Sequence, residues 1–196
     1  FIAINQTDVK RLIAYSSIAH IGLMAAVLFT QKQVGFEGVM VQMFNHGINV
    51  IGLWIVADVI EKQLGTRKIN ELGGLAAQAP KLTLALVVLA FANVSLPLTN
   101  AFVGEFLLFN GLFQFNIWVA VLAVTSIILV AVYTLNMVQN VFYGKVNEVT
   151  AKAVDMPLNV TVVLVAIIAA IIALGVYPQP MLTLTADGVK TLMAAF

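Results

Sequence analysis

Residues 82–113 read LTLALVVLAFANVSLPLTNAFVGEFLLFNGLF, and this stretch decides the fold. As one α-helix it would run roughly 48 Å, against a hydrocarbon core of about 30 Å. It is too long for one crossing and too short for two. Pro97 stands near its middle among Asn93, Ser95, Thr99 and Asn100. A proline inside a helix removes one backbone hydrogen bond and clashes with the preceding turn. The sequence therefore predicts a helix broken near Pro97.

Four simpler apolar stretches flank it, at about 12–30 and 38–60 before it and about 117–143 and 158–177 after it. Each is close to the roughly 20 residues that a helical crossing needs. Hydrophobic residues make up 61% of the chain and charged ones 10%, with a mean hydropathy of +1.01, far from the balance of a soluble domain. These features predict an all-α integral membrane protein: a polytopic bundle of about five transmembrane helices, one discontinuous, forming a single membrane domain over residues 1–196. The chain has no cysteine, which excludes disulfides, thiolate metal sites and thiol nucleophiles. A net charge of +1 without a basic cluster gives no nucleic-acid partner. The opening Phe1-Ile2-Ala3-Ile4 lacks an initiator Met, a basic leader and a cleavage site, so the chain is expected to be a piece of a longer protein.

Lys and Arg residues set the expected orientation. Lys10, Arg11, Lys62, Arg67, Lys68, Lys81, Lys145 and Lys152 fall on one side of the predicted spans, and Lys32 and Lys190 on the other. The positive-inside rule puts the Lys10 end in the cytoplasm and the C-terminus on the opposite, periplasmic face. In the tail 185–196, Val189, Leu192, Met193 and Phe196 share one helical face. That pattern fits an interfacial helix, and a frayed terminus is the alternative.

Polar residues inside the spans carry the functional signal, because a charge in the bilayer costs about 2.5–3.5 kcal/mol even on insertion scales. Glu105 follows Pro97 by two helical turns among Phe102, Val103, Phe106 and Leu107, with no charged residue near it in sequence. Such a carboxyl suits proton loading and release, or a neutral structural role. Thr99 or Asn100 is placed to cap the second half-helix before it. Gln42, Asn45, His46 and Asn49 recur at steps of three and four and form a stripe that lipid cannot face. His46 is suited to proton relay, whereas the amides suit trapped water or helix packing. His20, one turn after Ser16 and Ser17, suggests a Ser/His cluster of relay or structural character. No nucleophile elbow accompanies it, and two histidines on separate spans make a poor metal site. Tyr133, Asn136 and Asn140 share a face with Gln139 alongside, and read as a hydrated entrance or as interfacial residues. Asp58 and Lys62 form an i,i+4 pair, and 158–177 reads as a lipid-facing or packing helix.

Several strings resemble the antiporter-like membrane subunits of NADH:quinone oxidoreductase (complex I). They are Asp8-Val9-Lys10-Arg11-Leu12-Ile13-Ala14-Tyr15-Ser16-Ser17 with His20-Ile21-Gly22, then His46-Gly47, then Glu71-Leu72-Gly73-Gly74-Leu75, and finally Leu96-Pro97 leading to Phe102-Val103-Gly104-Glu105-Phe106. The resemblance covers nearly the whole chain and implies the second inverted repeat of the antiporter-like fold plus a final helix, with Pro97 in the discontinuous helix. It maps the proton-exit position to Glu105, and His20 and His46 to the family's hydrophilic axis, with Gln42, Asn45, Asn49 and Asn100 in support. Glu at position 105, where L, N and Mrp subunits usually carry Lys, is similar to the M-type branch. The resemblance also implies a non-redox, proton-translocating subunit in a bacterial inner membrane. Its L- and N-type neighbours lie beside it, and NAD, FMN, iron–sulfur clusters and quinone belong to partner subunits, with no cofactor in this chain. A Na⁺/H⁺ antiporter of Mrp type, or the arm of a membrane-bound hydrogenase, is the alternative.

Overall fold

A computed structural model describes residues 1–194. Its helices, among the described residues, are α1 (Val9–Leu28), α2 (Gln33–Leu64), α3 (Leu75–Gln78), α4 (Pro80–Asn93), α5 (Asn100–Phe115), α6 (Ile117–Phe142), α7 (Leu158–Val176) and α8 (Gln179–Met193). Four of them, α1, α2, α6 and α7, are long and apolar enough to cross a membrane. The stretch that is too long for one crossing is divided between α4 and α5. Helix α2 is longer than the 38–60 expected, because its polar ends, carrying Glu37, Asp58, Glu61 and Lys62, continue the helix beyond its apolar centre.

Helix starts follow their caps. The Asp8 carboxylate accepts from the Arg11 backbone N–H at 3.0 Å. Asn116 Oδ1 accepts from the N–H groups of Trp118 and Val119. Helix α4 has proline at its first position, and its first donors are met from far along the chain. The Asp155 carboxylate accepts from the Lys81 and Leu82 N–H groups, each at 3.1 Å. Each contact satisfies donors that a helix start leaves unbonded.

The break is more than a proline effect. Ser95 lies in the left-handed region at φ 58°, its N–H donates to Ala92 O at 3.1 Å, and the Leu96 N–H donates to Phe91 O at 3.1 Å. These two bonds form the Schellman arrangement that ends a helix. Helix α4 has therefore already stopped before Pro97. Pro97 then opens a tight turn in which Leu98 adopts φ 74° and the Thr99 N–H donates to Leu96 O at 3.1 Å, the pattern of a type II turn. Asn100 starts α5 at once.

Small residues let α5 lie close against α2. A Cβ on Gly38 would stand 2.8 Å from both Leu107 Cβ and the Leu108 N, and one on Gly111 would stand 2.7 Å from Gly35 Cα. On the other side of the break, Gly175 of α7 lies against the Leu98 carbonyl and Thr99. Close backbone approach of this kind drives helix association where water is absent. Helix α7 therefore covers the break, although little of its surface is buried besides Leu164 and Ile171.

At the basic end, charged groups tie the bundle together. Lys10 pairs with Asp58 at 3.3 Å and with Glu61, and its ammonium stands 5.4 Å from the Trp54 ring centre. Asp58 also takes Lys62 at 2.7 Å, as the i,i+4 spacing predicts, while Arg67 holds Asp8 at 2.6 Å and Glu61 at 3.4 Å. Gly74, at φ 68°, turns the following loop so that Leu72 and Leu75 are buried. At the opposite end α8 packs against α2. It starts at Gln179, earlier than the 185 expected, with Val189 buried and Leu192 partly exposed. Phe196, the last residue of the expected apolar face, lies outside the described residues.

Gly38→Val forces side-chain bulk into the α2–α5 contact, and overpacking of this kind costs about 1–3 kcal/mol. The thermal midpoint of the full-length protein in detergent is expected to fall clearly. Gly47→Ala, on the same helix with nothing within 4 Å of the new atom, is expected to leave it unchanged or raise it slightly, since Ala is the better helix former.

Candidate proton-transfer site

Glu105 lies on the second turn of α5, 5% exposed, and its partner comes from a helix eighty-odd residues earlier. His20 Nδ1 stands 2.9 Å from Glu105 Oε1, with both side chains buried. No other pairing of charged or imidazole groups among the described residues is as deeply enclosed. With Glu105 ionised, the His20 Nδ1–H donates to it; with Glu105 protonated, its O–H donates to Nδ1. The two arrangements differ by the position of one proton along the hydrogen bond.

The His46 ring from α2 stands 5.0 Å from that of His20, tilted by 40°. His20 Nε2 and His46 Nε2 are both buried with no hydrogen-bond partner among the described residues. Two imidazolium charges at that separation in a medium of low dielectric would repel strongly. At most one of the two rings therefore carries a positive charge at a time. Gln42 packs directly on Gly104, where any side chain would collide with it, and this brings α2 against the backbone that carries Glu105.

The amides of the stripe serve the break. Asn45 Nδ2 donates to Asn100 O at 2.8 Å, and Asn100 Nδ2 donates to Asn45 O at 3.4 Å. Asn49 Nδ2 donates to Ala92 O at 3.4 Å. Gln42, Asn45 and Asn49 are each 1% exposed, so the stripe faces inward, as its periodicity predicts. The capping expectation is corrected in part. Thr99 precedes α5, but its Oγ1 donates back to Leu96 O at 2.7 Å and caps nothing. Asn100 Oδ1 takes the Ala101 N–H at 2.9 Å, because the turn at Leu98 points Thr99 back along the chain.

The expected Ser16/Ser17–His20 cluster is also corrected. Ser16 Oγ accepts from Tyr133 Oη–H at 2.9 Å and from Asn93 Nδ2 at 3.2 Å, and Asn93 Nδ2 also donates to Thr134 Oγ1 at 3.2 Å. His20 turns instead to Glu105. The sequence marks Asn93 only as a neighbour of Pro97 and Thr134 not at all, since neither belongs to the stripe on α2. Asn136 and Asn140 are exposed and line a polar cavity of about 490 Å³ with Tyr133 as part of its lining. Gln139 points away, into an apolar recess. A crevice of about 10 Å³ beside His20 and Glu105 is bounded by Ser126 and Val130 of α6, close to the room one water needs.

Buried polar groups beside discontinuous helices recur in transporter sites, and comparison with known proteins gives the kinship of this chain. The family described as the NADH:quinone oxidoreductase/Mrp antiporter transmembrane family matches residues 1–130. The chain belongs to this family. Among its relatives, NADH-quinone oxidoreductase subunit M of Rhodobacter capsulatus is 38% identical over 91% of the chain, and the same-named subunit of Escherichia coli K12 is 32% identical over 93%. A chain of respiratory complex I from Thermus thermophilus superposes with a TM-score of 0.89 at 28% identity, covering 98% of this chain and 41% of that one. The present chain spans about a third of the length of the curated relatives it matches, 35% for the Rhodobacter protein. An Mrp complex chain from a Dietzia species has the same fold, with a TM-score of 0.88 at 18% identity.

The family's fold is thus an all-α, multi-pass membrane bundle, as the sequence predicts. Among the described residues no group of three or more His, Asp or Glu side chains is arranged to hold a metal ion. Removing one member of a buried pair strands the other, whereas replacing both with apolar groups does not. His20→Leu and Glu105→Leu are each expected to lower the thermal stability of the full-length protein. In the double variant the loss is expected to be smaller than the sum by about 1–3 kcal/mol; strict additivity would mean the two side chains do not interact.

Proposed function

We propose that this chain is part of an M-type antiporter-like subunit of an NADH:quinone oxidoreductase, and that Glu105 and His20 are its proton-carrying pair. The contact between His20 Nδ1 and Glu105 Oε1 at 2.9 Å, with both groups buried, carries this reading. Among the described residues Glu105 has no Lys or Arg partner, and its ionic contact is His20. A proton arriving on His20 moves along the shared hydrogen bond to the carboxylate, and Glu105 passes it on when the surrounding charge or hydration shifts. His46 exchanges protons with His20 across the 5.0 Å gap through an intervening water, and Gln42, Asn45, Asn49 and Asn100 hold the two helices in register around them. Helix α4 ends at the Ser95 turn, Pro97 opens the tight turn that follows, and α5 then starts afresh with Glu105 in the membrane interior.

The redox chemistry belongs to other subunits in this proposal. The chain offers no cysteine for an iron–sulfur cluster, and the relatives named subunit M are named as parts of quinone oxidoreductases. NAD, FMN, the clusters and quinone sit in partner subunits, with L- and N-type subunits as membrane neighbours. The protein lies in a bacterial inner membrane, with the Lys10, Arg67 and Lys145 end cytoplasmic and α8 along the periplasmic interface. This orientation follows from the distribution of Lys and Arg. Residues 1–196 are part of a single membrane domain. A Mrp-type Na⁺/H⁺ antiporter or a hydrogenase arm is less well supported, because the likeness to the Mrp chain is one of fold and position 105 carries Glu.

In the intact complex, Glu105→Gln is expected to abolish most proton pumping coupled to NADH:quinone turnover while the complex assembles. His46→Ala is expected to give an intermediate loss. Normal pumping and quinone reductase activity in an assembled Glu105→Gln complex would remove Glu105 from the path.

A further inference from the structure

Between the basic end and the His20–Glu105 pair lies a string of polar groups that the proton-carrier reading does not use. The cavity of about 490 Å³ lies among Gln6, Thr7, Asn70, Asn136 and Asn140, at the end where Lys10 and Arg67 stand, and Tyr133 is part of its lining. Tyr133 is 4% exposed and is one of the buried residues in the cavity wall. Its hydroxyl donates to Ser16 Oγ at 2.9 Å, and Ser16 is itself 1% exposed. Ser16 precedes His20 by one helical turn on α1, a separation at which the two side chains share a face with their Cβ atoms about 5–6 Å apart. His20 has a buried Nε2 without a partner among the described residues, and its Nδ1 is on Glu105.

We infer that Tyr133 and Ser16 form the gated proton inlet of this chain, connecting the polar cavity to His20. The inference rests on the proton-carrier reading of Glu105 and adds the side and route by which the proton arrives. The hydrogen-bond directions permit it. Ser16 Oγ accepts from Tyr133 and from Asn93, which leaves the serine's own proton free to be given onward. A proton from water in the cavity binds the Tyr133 oxygen as Tyr133 gives its proton to Ser16. Ser16 releases its proton to a water bridging to the His20 imidazole, and His20 passes one to Glu105. Each oxygen gains and loses one proton, and the transferred charge ends on the His20–Glu105 pair.

Asn93 makes the inlet a gate. Its side-chain amide donates to Ser16 Oγ and Thr134 Oγ1, at 3.2 Å each, and Asn93 is the last residue of α4 before the break. Movement of the broken helix therefore pulls directly on the serine that receives the proton. Helix ends at such breaks are the natural hinges of transporters. The inlet is thus coupled mechanically to the element that also positions Glu105.

The test uses the intact complex in sealed vesicles with the basic loops facing outward. Tyr133→Phe removes the hydroxyl and keeps the packing. It is expected to lower proton pumping at least about tenfold and to enlarge the solvent deuterium isotope effect on pumping. Asn140→Cys is expected to react with a membrane-impermeant, positively charged methanethiosulfonate added outside, read by mass spectrometry of its own peptide, and the adduct is expected to stop pumping. Gln139→Cys, which faces the apolar recess, is expected to pump normally after the same treatment. Pumping within twofold of wild type in Tyr133→Phe, a loss with an unchanged isotope effect, an unreactive thiol in Asn140→Cys, or normal pumping by that variant once labelled each overturns the inlet. Glu105→Gln run alongside separates the two claims. If it is inactive while Tyr133→Phe pumps normally, the inlet alone fails; if it pumps normally, the reading beneath it fails.

Discussion

A backbone inside a bilayer has no water to bond to, so a helix interrupted there survives only where protein groups take up its loose ends. Everything in this chain is arranged around that constraint at residues 94–99. The Ser95 and Leu96 N–H groups turn back onto the end of α4, and Thr99 closes on Leu96. Asn49 and Asn45 reach from α2 to the carbonyls of Ala92 and Asn100 on either side of the gap. Those contacts require α2 to lie within amide reach of both half-helices, and its close approach to α5 in turn requires glycine at 38, 104 and 111. The same close packing carries His46 to within 5.0 Å of His20. The structural repair of the break and the assembly of the titratable cluster are therefore one feature.

The choice of partner for Glu105 has functional weight. A Lys or Arg beside a buried carboxylate gives a pair that stays ionised on both sides, stable and hard to discharge. An imidazole does not. Among the described residues, the buried Glu105 carboxyl forms its ionic contact with His20 and with no Lys or Arg. Fixed ion pairs, by contrast, cluster at the basic end, where Lys10, Asp58, Glu61 and Arg67 brace α1, α2 and the loop, with a further exposed pair, Lys190 and Asp187, on α8. Fixed charges hold the frame and titratable ones occupy its centre.

Much of the fold was legible in sequence, for physical reasons. Span lengths and hydropathy located the crossings, because lipid tolerates few polar side chains. The spacing of Gln42, Asn45, His46 and Asn49 gave the inward face of α2, because that stripe has nowhere else to point. Pro97 gave the break, although the termination itself belongs to Ser95, whose left-handed backbone has no sequence signature as clear as glycine's. What escaped was long-range pairing. His20 and Glu105 come from different helices, and nothing local in either segment names the other; Ser16 beside His20 suggested a nearer partner instead. The roles of Asn93 and Thr134 were hidden for the same reason. They depend on three helices meeting at Ser16, and helix periodicity describes only one helix at a time.

The central claim is that the Glu105 carboxyl changes protonation as the protein works. Vibrational difference spectroscopy reads this directly, comparing the intact complex at rest and during turnover, in ordinary and deuterated water. The account predicts a carbonyl band from a buried protonated carboxyl that changes between the two states, shifts in deuterated water and is missing in Glu105→Gln. A difference spectrum that is the same in the wild type and in Glu105→Gln, with no carboxyl change assignable to this residue, would contradict it.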